Sequence, residues 1–359
     1  MKKLVLFITL INFGITQSQN VNIPDPIFKS RLLNHTDPII DINSDNEIQL
    51  SEAEAITGRI NVSTSNLSDI TGIAAFINMT EFICAETKVT NIDLSSNTRL
   101  TLLDFNDSEV TYLNIDNSIE LKELYCYGNK LTSLDISNNT LLKTVFCYKN
   151  KISELNLTNN TEIETLSSFN NKISSIDLSK NTKLFALALN ENLITNIDIS
   201  NNPEVYILYC QDNPNLTTIN LKNGNNANFI FSGDNSSHFE NNPNLTSICI
   251  DDFNNTTLKN EITNQAGSSI TFTDNCSTLS NEKFSTLNFS IFPNPTENNL
   301  TIESKTEILK IEIYNNIGEF ILEKKYGKKI NISNLSQGIY LIKIIGKNGR
   351  IETKKILKK

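Results

Sequence analysis

Apolar positions along this chain recur with a period of 21 residues. Leu121, Leu124, Cys126, Asn129 and Leu131 return as Leu142, Val145, Cys147, Asn150 and Ile152, so both stretches fit L-x-x-[LV]-x-C-x-x-N-x-[LI]. The same phase starts again at Ile163, Leu184 and Val205, and less strictly upstream at Met79 and Leu100. Three rows result. One runs Phe82, Leu103, Leu124, Val145, Leu166, Leu187, Leu208; a second runs Cys84, Phe105, Cys126, Cys147, Ser168, Leu189, Cys210; a third runs Asn129, Asn150, Asn171, Asn192, Asn213. Apolar residues two apart, such as Leu124 and Cys126 or Leu134 and Ile136, put both side chains on one face of a strand. A coil of 21 residues leaves little room for a helix, so the second half of each coil should be extended or 3₁₀. Stacking about eight coils at a strand spacing of ~4.8 Å gives a rod of roughly 40 Å with one continuous core. The Asn row should hydrogen-bond backbone groups at the turns. An insertion around Pro214 shifts the last clear coil by one residue.

Over residues 60–250 this pattern resembles the leucine-rich-repeat family in its short bacterial form. The resemblance implies a solenoid that presents a repeated surface. The ends need caps. Residues 23–33, IPDPIFKSRLL, read as a short amphipathic helix at the front. At the far end residues 241–249 are the last half-coil, and an irregular stretch follows to Cys276.

From residue 287 the repeat is gone and alternating strand patterns replace it, punctuated by Gly318 and Gly338. Phe292-Pro293-Asn294-Pro295 with Leu300-Thr301-Ile302, residues 313–318 (IYNNIG), residues 335–340 (LSQGIY, with Gly338 and Tyr340) and the closing KKILKK are similar to the C-terminal sorting domain of the type IX secretion system. The resemblance implies a small β-sandwich that a translocon recognises on export, after which the cargo is released or held at the outer cell surface. The fold class is therefore mainly β. It comprises an N-terminal helical cap at 19–58, a leucine-rich-repeat solenoid with its C-terminal cap at 59–276, a linker at 277–286, and an immunoglobulin-like β-sandwich at 287–359. Residues 1–18 read as an export signal, with Lys2 and Lys3 before an apolar run too short to span a membrane. No later run is long enough for a transmembrane helix.

Charge divides along the same boundary. Residues 287–359 hold 13 basic and 7 acidic residues, net +6, and the remainder holds 18 and 33, net −15. An acidic body of that size argues against nucleic-acid binding. Two histidines, no phosphate loop and no nucleophile elbow argue against catalysis; the one stretch that breaks the repeat, residues 223–242 with His238, is the place an enzyme would need. Cys84, Cys126, Cys147 and Cys210 sit in a core row and read as buried free thiols, whereas Cys249 and Cys276 lie past the last coil and read as a disulfide stapling the cap.

Two candidate sites remain. Residues 41–52 place Asp41, Asn43, Asp45, Glu47, Gln49 and Glu52 at the ligand positions of a twelve-residue calcium loop, with Asn46 where glycine is usual. The competing reading is a polar turn that caps a helix. The second site is the outward face of the strands, where aromatics gather: Tyr125, Tyr127, Phe146, Tyr148 and Phe169, with Tyr209 two coils on. Such a patch suits an extracellular protein or a glycan, and the alternative is a self-stacking ladder. The expectation is a secreted, non-catalytic binding or adhesion protein, with a glycan-binding module or a plain spacer as alternatives.

Overall fold

The computed structural model describes residues 19–276, 289–304, 308–315, 320–325, 329–346 and 351–359. The export signal and the linker expected at 277–286 lie outside the described residues. The chain divides into two compact units, Met1–Leu279 and Ser280–Lys359. No helix of the described residues is long and apolar enough to cross a membrane.

In the first unit the 21-residue step becomes a parallel sheet of eight three-residue strands. They are Arg59–Asn61, Glu81–Ile83, Leu102–Asp104, Glu123–Tyr125, Thr144–Phe146, Thr165–Ser167, Ala186–Ala188 and Ile207–Tyr209. The pairing is in register, so Leu103, Leu124, Val145, Leu166, Leu187 and Leu208 face one another across it. All six are buried, as are the Cys-row residues beside them. This is the front sheet. The opposite wall holds parallel strands only near its ends: Asn91–Asp93 with Tyr112–Asn114, then Asn196–Asp198, Thr218–Asn220, Ser247–Cys249 and Thr271–Thr273. In the three coils between, no strand forms among the described residues, while the apolar triplets such as Leu131, Leu134 and Ile136 still point into the core.

Two columns of side-chain amides bind coil to coil. Asn129 Nδ2 donates to the carbonyls of Phe105, Cys126 and Tyr127, and its Oδ1 accepts from Val110 N at 2.9 Å. Asn150 repeats this with Cys126, Cys147 and Tyr148 and accepts from Leu131 N. The column continues through Asn171, Asn192 and Asn213 to Asn242, which reaches back to Cys210 O across the longer insertion. The second column is Asn97, Asn139, Asn160, Asn181, Asn202 and Asn223, with Ser118 in one coil. Asn160 Nδ2, for example, donates to Ile136 O and Asn139 O, both at 2.9 Å. This column lies in the repeat at the same 21-residue spacing, yet it escapes a reading that looks for apolar rows. A third asparagine and aspartate row, Asp93, Asn114, Asp135, Asn156, Asp177, Asp198 and Asn220, stays on the surface. Each accepts from the N–H two residues on, as Ser137 N donates to Asp135 at 3.0 Å.

The caps follow from local signals. Helix α1 (Pro26–Leu33) opens with Pro at its first turn and Asp25 as N-cap, whose Oδ1 accepts from Ile27 N and Phe28 N. Asp25 Oδ2 accepts from Ser68 N and Asp69 N, tying the cap to the first coil, and Phe28 and Leu32 fill the end of the core. Helix α2 (Leu50–Ala55) carries a capping box between Gln49 and Glu52. The stretch expected to be irregular before Cys276 is ordered. Asn255 caps helix α3 (Thr256–Ala266), Leu258 and Ile262 bury one turn apart, Gly267 ends the helix, and Thr271–Thr273 adds the last strand. The i, i+4 pair is too short a signal to stand out beside the repeat.

In the second unit, antiparallel strands form two sheets. One pairs Phe289–Phe292, Asn299–Ser304 and Lys329–Asn331; the other pairs Phe320–Lys325, Ile308–Asn315, Gly338–Gly346 and Ile351–Lys358. Leu300, Ile311, Ile313, Ile330, Ile342, Ile344 and Ile356 form a core of their own.

Replacing Asn150 with Ala deletes three donated bonds and leaves Leu131 N buried without its acceptor. Urea denaturation should show a loss of about 2–4 kcal/mol, whereas Asn156→Ala on the exposed row should cost under about 1 kcal/mol.

Candidate functional site

Side chains alternate along each front strand, so residues flanking the buried centre point away from the core. Most of these flanking residues are half-buried, whereas Ala85, Asn190 and Ile207 are buried. Tyr125, Tyr127, Phe146, Tyr148 and Phe169 gather on three successive coils, and all are half-buried. Tyr127 stacks on Tyr148 with centroids 4.3 Å apart and planes 8° from parallel, and Tyr148 stacks on Phe169 at 4.3 Å and 10°. Phe146 meets Tyr125 edge to face at 5.4 Å. Tyr209 lies apart, stacked on His238 at 5.5 Å. Strand spacing dictates the ladder, because identical positions on neighbouring coils sit at about the thickness of stacked rings.

The stack consumes ring faces. Both faces of Tyr148 are covered, by Tyr127 and Phe169, so ring edges and hydroxyls face solvent. Asn106 Nδ2 donates to the Tyr127 hydroxyl, and Tyr125 donates its own to Glu123 Oε2 at 2.7 Å. Desolvation, with Glu123 alongside, pushes the Tyr125 phenol up to about 12, and desolvation does the same to Tyr148. Burial likewise raises the Asp104 carboxyl.

The other sequence-derived residues fall in separate places. Cys249 and Cys276 are joined as a disulfide, with Cα atoms 5.5 Å apart, which fastens the strand Ser247–Cys249 to the end of the unit. Cys84, Cys126, Cys147 and Cys210 are free and buried, and desolvation lifts the Cys84 and Cys147 thiols to about 12. They are core fillers, not nucleophiles.

In the 41–52 loop Asn46 adopts φ 64, the left-handed turn that its position demands. Asp41 accepts from Asp45 N and Asn46 N, Asp45 from Glu47 N, and Glu52 from Ile42 N and Gln49 N. The Glu47 N–H holds the Asp45 carboxyl below its ordinary range. Asn43 Nδ2 turns to Gln49 Oε1 and Asp45 Oδ2, and Glu47 pairs with Lys29 at 2.6 Å. Among the described residues no three His, Cys, Asp or Glu side chains converge as a metal ion requires. As arranged, these residues close a hydrogen-bonded turn ahead of α2.

The insertion at 223–242 brings His238 into line with Tyr209 on the front sheet. Its Nε2 lies 3.2 Å from Ser236 Oγ and its Nδ1 3.0 Å from Glu240 Oε1. The order nucleophile, base, acid is suggestive of hydrolysis. However, Ser236 N and Ser237 N already donate to Gly233 O and Ile230 O, so those amides are not left to hold an oxyanion. In the tail unit, Asn294 Nδ2 donates to Lys355 O and its Oδ1 accepts from Leu357 N. The Pro293-Asn294-Pro295 segment is thereby laced to the final strand, while Tyr340, in the strand that opens at Gly338, donates its hydroxyl to Ser336 O.

Comparison with known proteins separates the two units. Residues 290–359 match the family described as Secretion system C-terminal sorting domain. The tail is a type IX sorting domain, and it implies export, either released or attached to the outer cell surface. No curated protein sequence matches the chain. Among solved structures it is similar to internalin C2 from Listeria monocytogenes, at 19% identity over 55% of this chain and 99% of that one, TM-score 0.42. It is also similar to the functional domain of InlJ from Listeria monocytogenes, described as including a cysteine ladder, at 18% identity over 87% and 93%, TM-score 0.34. A third is internalin InlF from Listeria monocytogenes, at 17% identity over 73% and 98%, TM-score 0.29.

Two outcomes follow for this unit. Tyr148→Ala breaks two ring stacks and should lower stability by about 2 kcal/mol, with Tyr148→Phe close to unchanged. Asp45→Ala should lower the melting temperature equally in calcium and in chelator; a calcium-dependent rise in the melting temperature of the unmutated protein would instead make the loop a cation site.

Proposed function

We propose that the protein is an exported, non-catalytic binding protein whose front sheet docks a protein partner outside the cell, and whose tail is the part the type IX translocon handles. The observation that carries this reading is the aromatic ladder on three adjacent coils, half-exposed on a sheet that the fold holds rigid. Interface cores favour tyrosine, which contributes large area at small entropic cost. The ladder also supports the protein-binding reading over the glycan-binding one. Sugar rings stack on aromatic faces, and both faces of Tyr148, with one face each of Tyr127 and Phe169, are taken up within the stack. Edges and hydroxyls suit the mixed polar and apolar contacts of a polypeptide.

The full chain and its Tyr127→Phe/Tyr148→Phe variant, applied to arrays of extracellular proteins and glycans, test the proposal. The variant keeps the stack and removes two surface hydroxyls. A protein ligand bound by the parent and weakened about tenfold or more in the variant supports it. A glycan ligand indifferent to the change favours the carbohydrate alternative, and a folded protein with no ligand at all leaves a spacer.

A further inference from the structure

Between the Arg59–Glu81 pair that opens the front sheet and the His238–Glu240 contact at its far end, charge on the front face is mostly acidic. Glu86, Asp104, Asp107 and Glu123 lie on the coils before the aromatic ladder and at its first coil, and Glu191 and Asp212 on the coils beyond it; Lys149 stands between them. Elsewhere on the solenoid, acids are matched with lysines one coil away: Glu109 with Lys130 at 2.8 Å, Glu164 with Lys143 at 2.7 Å and Glu162 with Lys183 at 2.5 Å. Among the described residues none of the six front-face acids joins a salt bridge. Their polar contacts are to neutral groups: Asp104 accepts from Asn106 N, Asp107 from Asn106 Nδ2, Glu123 from Tyr125, and Glu191 from Asn170 Nδ2.

From this pattern, and resting on the reading of the front face as a docking surface, we infer that the partner segment is a lysine- and arginine-rich polypeptide lying across the coils. Such side chains have apolar stems and charged heads. The stems cover the ring edges of the ladder and the heads reach the carboxylates on either side. The coils of Asp104 and Glu191 are four steps apart, about 19 Å at ordinary strand spacing. An extended segment of about six residues spans that distance. A small cation would meet only one end of the array.

The probe is a fluorescein-labelled peptide of about twelve residues rich in Lys and Arg, read by anisotropy against the full chain, with a Glu-rich peptide of equal length as control. Asp104→Asn/Asp107→Asn/Glu123→Gln should weaken binding about tenfold. Asp135→Asn/Asp177→Asn/Asp198→Asn changes net charge by the same amount on the opposite wall, where asparagine already serves the same turn at Asn114 and Asn156. It should stay within about twofold. Lys149→Asn, which places at φ 52 a residue tolerant of that conformation, should tighten binding, a gain that misfolding cannot mimic. Equal losses in the two triple variants, or no binding of the basic peptide by the parent, overturn the inference. If the array still yields a protein ligand sensitive to Tyr127→Phe/Tyr148→Phe, the docking face stands and only the basic partner falls.

Discussion

Everything in the solenoid depends on how its corners satisfy buried backbone. A coil this short has no helix to absorb its own carbonyls, so each turn leaves C=O groups facing the interior that water does not reach. A buried acceptor without a donor costs about 1–3 kcal/mol. The asparagine amide has the right reach and supplies two N–H donors, one to its own coil and one to the coil before, so Asn150 spans Cys147 O and Cys126 O together. That bridging fixes the spacing between coils and their register in one stroke. The residue just before each ladder asparagine takes a left-handed conformation, at Gly128, Lys149, Asn170, Glu191 and Asp212, as does Asp107 before Ser108. Non-glycine residues hold that conformation at some cost, which the ladder offsets. At Gly128 a Cβ would meet the Asp107 carboxylate, which would have to turn aside.

Once the register is locked, every other column is a consequence. The Cys row fills the space beside the leucines, with Phe105 and Leu189 taking the place of the thiol in two coils. The aromatic ladder exists because the coil spacing nearly equals the thickness of stacked rings. The same constraint opposes like charges in a column, and the back wall meets it by alternating Asp with Asn at Asp93, Asn114, Asp135 and Asn156, all serving one turn geometry.

The repeat made the fold legible because its period appears as residue types at fixed offsets, and the tail because several short motifs agree over its length. What escaped reading lacked either property. The second asparagine column was present at the same offset, but its residues sit among many surface asparagines, and nothing in the letters separates Asn160, fully buried, from Asn159, which is exposed. Helix α3 has a single buried pair and no repeat to amplify it. The site was legible as positions but not as surfaces. Alternation puts Tyr127 and Tyr148 on the outer face, yet only ring orientation, a tertiary property, shows that their faces meet and their edges are what a partner would touch.

Stability alone does not account for the front face. The flanks show that this sequence readily pairs a lysine with a glutamate one coil away, and a few such pairs would neutralise Asp104, Asp107 and Glu191. Instead the face keeps unpaired carboxylates at the distances where they repel, Asp104 with its carboxyl raised by burial and by the nearby Asp107 charge. Surface pairs contribute little, so leaving them unmade costs the solenoid little. Summed over a rigid face the same charges set up a field that steers an oppositely charged partner from a distance. A solenoid stiffened internally by amides, needing no surface charge for its own cohesion, can present such a field without loosening.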